Sequence, residues 1–275
     1  MTSLALPAGL AQRLPIEGLF SRHRLLATYG LVMIEVGILV LMFQVIDPRT
    51  LESGVNIWVK PAKFFVSVGL FSVTAAWFMG YVRPERRRSR LMRGTVAMLI
   101  VAGSFELAYI SWQAAQGLES HFNVSSPHFI LMYQLMGVAS VLLVATTLPL
   151  AWEIARRPAA GLPGSFVAAV VIGLLLTFLL GGGLGGYMSS QPGHAVGEIG
   201  GHTPVFGWNR LGGDLRVAHF FGIHAEQAIA LLGALIAGFA ARTRWLLLAA
   251  GTVAYVAVTL AVFAQAVAGR SLLPA

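Results

Sequence analysis

Seven apolar stretches, each of about 20 residues and so long enough to cross a bilayer as a helix, constrain this chain more than any motif in it. They fall at roughly 25–46, 61–82, 95–116, 128–152, 165–188, 217–240 and 245–268. The stretches are continuous rather than alternating, which excludes a transmembrane β-barrel. Only 11% of the residues are charged, against about 25% in a soluble domain. The sequence therefore specifies an all-α integral membrane protein with seven transmembrane helices. A single membrane domain covers 25–268, with a segment 1–24 before it and a tail 269–275 after it. The lipid bilayer is its first partner.

The net charge of +8 does not point to nucleic acid, because the basic residues sit between the apolar stretches and act as topology signals. Thirteen of the 19 lie on one side: Arg13, Arg22, Arg24, Arg83, Arg86, Arg87, Arg88, Arg90, Arg93, Arg156, Arg157, Arg242 and Arg244. The other side has Arg49, Lys60, Lys63, Arg210, Arg216 and Arg270. The positive-inside rule then places the N-terminus in the cytoplasm and the C-terminus outside, as expected for a bacterial inner membrane. All six tryptophans (58, 77, 112, 152, 208 and 245) lie near span ends, as an aromatic belt requires. Residues 1–24 lack a signal-peptide pattern and can be read as a short cytoplasmic interfacial helix. With no cysteine in the chain, Cys-ligated iron–sulfur clusters, thiolate zinc and covalent c-type haem are excluded.

The sequence carries a concealed repeat. "VKPAKFF" (59–65) matches "LRVAHFF" (215–221), aligning Lys60 with Arg216 and Lys63 with His219. "QAAQG" (113–117) matches "QAVAG" (265–269). A third, weaker match sets "VGILVLMF" (36–43) against "IGLLLTFL" (172–179). This predicts a 3+1+3 parallel repeat: repeat A about 25–116, a linker helix 128–152, and repeat B about 165–268. The layout resembles that of the SWEET sugar transporters and the microbial rhodopsins, in topology alone. A retinal Schiff base is excluded, because both lysines open the second span and the last span has none.

The unusual polar residues gather toward the non-cytoplasmic side. "DLRVAHFFGIH" (214–224), followed by Glu226 and Gln227, concentrates titratable groups at the start of span six. On span six His219 and Glu226 nearly coincide in direction, with Arg216, Gln227 and His224 progressively round one side. On span three, Glu106, Tyr109, Gln113, Gln116 and Ser120 form one stripe, while Glu35 stands alone in span one. A charge at the bilayer centre costs about 2.5–3.5 kcal/mol on insertion scales. Three acids among bases and histidines thus predict one interior hydrophilic cavity. Glu106, His219 and Glu226 are its candidate catalytic groups. Lys60, Lys63, Gln113, Asp214, Arg216, Gln227, Gln265 and Arg270 are the candidate ligand-binding groups. His219, His224, His128 and His121 are candidate metal ligands. The loop 189–216, with His194 and His202, is long and glycine-rich, and reads as a lid or a disordered segment. "GGGLGG" (181–186) permits close helix packing.

Three functions fit. The first is a haem- or metal-dependent membrane redox protein or enzyme. A haem b or a divalent metal would be held by imidazoles, with acids as proton donors. The second is a proton-coupled or anion transporter with a pseudo-symmetric site, its ring of Lys60, Lys63, Arg216 and Arg270 drawing a small or lipid-like anion. Against it, no proline or glycine break is evident at paired positions of the two halves. The third is a lipid-headgroup hydrolase. The order Lys60, "QPGH", Arg216, His219 resembles the phosphatidic-acid phosphatase superfamily, but lacks R-P after the lysine, the serine before P-G-H, and a span between the last two motifs.

Overall fold

The computed structural model describes residues 16–51, 54–203 and 206–273. Its helices are α1 (Ile16–Ile46), α2 (Val59–Met79), α3 (Arg90–Ala115), α4 (Pro127–Ala145), α5 (Thr147–Arg156), α6 (Gly164–Leu176), α7 (Gly183–Ser189), α8 (Leu215–Ile223), α9 (Ala225–Leu235) and α10 (Ala241–Val267). A π-helical stretch, Thr177–Gly182, joins α6 to α7. Among the described residues six helical stretches are long and apolar enough to cross a membrane, with α4–α5 and α6–α7 each counted as one. The pair α8 and α9, bent by 50° at a short break, passes the same test together, giving seven where the pair is counted as one span. The chain is an all-α membrane protein. It forms two compact units, one ending at Glu153 and the other running from Ile154.

In the first unit the start signals are local. Ser89 and Ser126 cap α3 and α4 by accepting the N–H groups of Met92 and Phe129, and Pro127 occupies the first position of α4, where no N–H is needed. Span three thus begins five residues earlier than hydropathy places it, because arginines can run along a helix end at the interface. α1 kinks at His23 (φ −159°, ψ 92°). The Nδ1 of His23 accepts the N–H of Leu26 at 3.3 Å, as a capping side chain does. The interfacial helix expected over 1–24 is described only from residue 16, and its earlier part lies outside the described residues. α1 and α2 approach closely: a Cβ on Gly30 would sit 2.8 Å from the carbonyl oxygen of Gly69, and one on Gly37 2.9 Å from Val66. Toward the Arg-rich end, the Arg22 guanidinium lies 3.8 Å over the Trp77 ring, and Arg86 pairs with buried Glu153 at 2.7 Å.

The second unit packs α8 and α9 against α6, the π-helical stretch and α7. The 189–216 connection is a folded hairpin in its described part rather than a disordered segment. β1 (Ala195–Val196) pairs antiparallel with β2 (Gly213–Asp214). Asn209 ties its arms together, accepting the N–H of Gly200 and donating to the carbonyl of Glu198. Phe206 stacks on Trp208 at 4.5 Å. Buried polar pairing of this kind replaces the apolar core that a loop lacks.

Several local geometries recur in the two units. Gln113 and Gln265 each donate through Nε2 to the carbonyl six residues on, Glu119 and Ser271. Each is followed by a left-handed glycine, Gly117 (φ 73°) and Gly269 (φ 70°). Each also accepts at its carbonyl the N–H five residues on, from Leu118 and Arg270, closing the helix end in the same way. Carrying the Lys60–Arg216 alignment forward sets Gly69 against Ala225 and Val66 against Gly222. Gly30 meets Gly69 as Gly173 meets Ala225, and Gly37 meets Val66 as Gly181 meets Gly222. The pairing of 36–43 with 172–179 would instead set Gly37 against Gly173. The first glycine pair is seven residues apart and the second eight. Gly181 lies within the π-helical stretch.

Candidate functional site

Span six is not one helix. α8 ends at Ile223, His224 (φ −98°, ψ 8°) interrupts the ladder, and α9 starts at Ala225. His219 therefore lies on one helix and Glu226 on the next, which overturns the placement of both on a single continuous face. The interruption needs neither proline nor a glycine at the break itself. The backbone groups that a break exposes must be satisfied internally, since lipid offers no hydrogen bonds. Thr177 Oγ1 accepts the N–H of Glu226 at 2.9 Å, and Tyr255 donates its hydroxyl to the carbonyl of Phe221 at 2.5 Å. The π-helical stretch thus lies beside the break, and Gly181 and Gly222 bring the two backbones together.

Around this break the titratable side chains are joined. Gln227 donates through Nε2 to Glu226 Oε1 at 3.0 Å, and its Oε1 accepts from His224 Nδ1 at 3.3 Å. Glu226 is 2% exposed and stands in the first turn of α9, where the helix dipole favours negative charge. The His224 ring packs on Phe220, with centroids 4.4 Å apart. His219 donates through Nδ1 to the carbonyl of Gly181 at 3.0 Å, which fixes Nε2 as the ring's accepting nitrogen. At the start of α8, Asp214 caps the helix through the N–H of Arg216 and binds the Arg216 side chain at 2.6 Å. Burial alone would push the Asp214 carboxyl up; the bonds from Arg216 outweigh this and hold it below the usual carboxylate range.

In the first unit Glu106, 2% exposed, accepts from Ser140 Oγ at 2.8 Å through Oε1. Its Oε2 is buried with no partner among the described residues. Two turns along, Gln113 donates to the Tyr109 hydroxyl at 3.0 Å and accepts from Gln116 at 3.2 Å. Lys60 approaches Glu119 at 3.8 Å. His121 packs between Phe64 and Tyr133, and burial, then the Lys60 charge, holds its imidazole well below the ordinary value. Asp47 takes a bidentate contact from Arg49 and one from the Trp58 indole, and these, Arg49 first, hold its carboxyl below the usual range.

The structure groups the expected residues unevenly. His224, Glu226 and Gln227 form one chain, Asp214 and Arg216 another, and Glu106, Gln113 and Lys60 fall in the first unit. Glu35 is exposed on α1, which removes it from the expected set of interior acids. Two of the four bases expected to draw an anion already face acids, Lys60 on Glu119 and Arg216 on Asp214. His128 is exposed at the start of α4, Lys63 is half-buried on α2, and Arg270 is exposed. Among the described residues no three His, Asp or Glu side chains come together as a metal site. Thr177, Tyr255, Ser140 and Asn209 were not among the expected site residues. A signal for Thr177 existed: it continues the small-residue series Gly173, Thr177, Gly181, Gly185 at intervals of four.

The fold and these groups define a polytopic helical membrane protein with ionisable side chains held at a broken span. Comparison with protein families, with curated proteins and with solved structures finds no match.

Proposed function

We propose that this is a proton-coupled membrane transport protein whose ionisable centre is the His224–Gln227–Glu226 chain. The supporting observation is the interruption of span six at His224, with a buried acid in the first turn after it. Interrupted spans are where membrane transporters place charge-handling groups, because the helix ends supply dipoles and unpaired backbone. A buried acid hydrogen-bonded to a neutral amide, which is in turn bonded to an imidazole, is a natural stop for a proton. π-helical segments also concentrate at functional positions, and the one here flanks the break. In this reading the two halves are a parallel repeat whose second copy gained one residue in its first span. The N-terminus lies in the cytoplasm on the basic asymmetry, so the start of α8 faces outward. Reporter fusions in the 83–89 connection test that orientation.

The test of transport is reconstitution into liposomes with an internal pH dye. Wild-type protein should carry protons down an imposed gradient, and Glu226→Gln should abolish the flux while leaving thermal stability near wild type. A wild-type protein with no flux under any gradient would sink the reading.

A second reading has one observation in its favour. His219 donates through Nδ1 to a backbone carbonyl, the arrangement that orients imidazoles bound to metals through Nε2. The haem- or metal-dependent redox protein therefore stands as the alternative. An absorption spectrum of the purified protein, with metal analysis, decides it: a Soret band or stoichiometric metal lost in His219→Ala would establish this reading over transport.

A further inference from the structure

The first unit holds a buried acid that the transport reading does not use. Glu106 sits in α3 with one carboxyl oxygen bonded to Ser140 and the other buried without a partner among the described residues. A carboxylate serving only to clamp α3 to α4 would be satisfied at both oxygens. Leaving a buried acceptor bare costs its desolvation without return, and a charged group loses more. A proton on Oε2 removes the charge and most of that cost.

The surroundings supply a way in. Gln116 donates to Gln113, and Gln113 to Tyr109, along one face of α3. Tyr109 lies three residues from Glu106, about 4.5 Å along the helix axis at 1.5 Å per residue. At the loop end the column meets the Glu119 carbonyl, which accepts from Gln113, and the Lys60–Glu119 pair. The charged group acting on Glu106 from α2 is Lys60. From α1, Tyr29 bonds Ser104, two residues away on α3. From α4 comes Ser140, with Tyr133 nearer the loop beside His121.

We propose that Glu106 is a proton-binding site of the first unit, loaded from the loop end through the polar column of Gln116, Gln113 and Tyr109. The step is protonation: a hydronium ion from bulk gives up its proton at the column's mouth and leaves as water, Oε2 becomes a hydroxyl, and Oε1 keeps its bond from Ser140. The site stands on the first unit alone, and its failure leaves the reading of the second untouched.

The experiment is infrared difference spectroscopy of the full chain in liposomes, carrying isotope-labelled glutamate and titrated with pH. A protonated-carboxyl carbonyl band should appear as the pH falls and be missing in Glu106→Gln. Ser140→Ala, which keeps the carboxyl, should shift the same band. Gln113→Leu should slow its hydrogen–deuterium exchange several-fold, a change that a purely structural role for the glutamine would not produce. Three outcomes would overturn the proposal. They are no titrating band removed by Glu106→Gln, a band that moves when sodium replaces potassium (a cation site), and exchange as fast in Gln113→Leu as in wild type. Should Glu106→Gln fail to fold, the Ser140→Ala shift alone decides the assignment.

Discussion

The backbone N–H of Glu226 donates to the hydroxyl of Thr177 at 2.9 Å, across from one span to the next. That bond lets α9 begin inside an apolar environment, where an open helix N-terminus would have no water to bond. Replacing the hydroxyl by a methyl keeps the shape and strands the donor. Thr177→Val should lower stability by about 1–3 kcal/mol, the cost of a buried unsatisfied group. Thr177→Ser should stay near wild type. Thermal unfolding in detergent measures both, and equal stability of Thr177→Val and wild type would show that the bond is dispensable.

The spans were legible because hydropathy over a window of bilayer length is insensitive to local detail. Helix ends at Ser89 and Ser126 followed from capping chemistry that the apolar windows ignored. The break at His224 was not legible. Gly222 is the only residue near it with low helix propensity, and the interruption depends on partners far along the chain, Thr177 and Tyr255. The π-helical stretch Thr177–Gly182 was hidden as well. Glu106 and Glu226 were marked as costly buried acids, and both are buried. Glu35 carries the same signal in the sequence, yet α1 turns it outward.

The glycine run 181–186 makes a sharper forecast than its composition suggests. A Cβ at position 181 would lie 2.9 Å from Ile223, whereas one at 182 meets nothing within 4 Å. Gly181→Ala should cost roughly 1–3 kcal/mol, as overpacking does. Gly182→Ala should be neutral or stabilising by up to about 1 kcal/mol through helix propensity. Parallel unfolding curves test the contrast. A similar loss at both positions would mean that the run is needed for flexibility rather than for close approach.

His121 gives the first unit a pH dependence. Burial and Lys60 hold its imidazole well below the ordinary value near 6.5, so the unfolded chain binds the proton more readily than the folded one. The stabilisation is complete above that value and falls away as the pH drops below it. Melting temperature should decline on acidification through this range. His121→Phe, which keeps an aromatic ring between Phe64 and Tyr133, should flatten the decline. An unchanged slope in the variant would assign the effect to another group.

Asp214 sets the acid limit of the second unit. It accepts the N–H of Asn209 from the hairpin, caps α8 through the N–H of Arg216, and holds the Arg216 side chain. One carboxylate therefore joins the hairpin to the helix that leads into the break. Its proton affinity is lowered in the fold, so it stabilises at pH values above the ordinary carboxylate range and ceases to do so as the pH falls through its folded value. Removing it at neutral pH should cost more than a surface pair does, since the carboxylate is buried. It should cost less than a fully buried pair, since Arg216 is partly exposed and keeps its bond to the Gly207 carbonyl. The expected loss for Asp214→Ala is about 1–3 kcal/mol, most of it the lost cap and the hairpin bond. Asp214→Asn should recover part of that, because an amide oxygen can still cap the helix. Limited proteolysis supplies the second readout: the 197–212 segment should be cut faster in Asp214→Ala while the membrane helices stay protected. Cleavage at the wild-type rate would mean that Asn209, whose carbonyl accepts from the Ser271 hydroxyl, holds the hairpin without the acid.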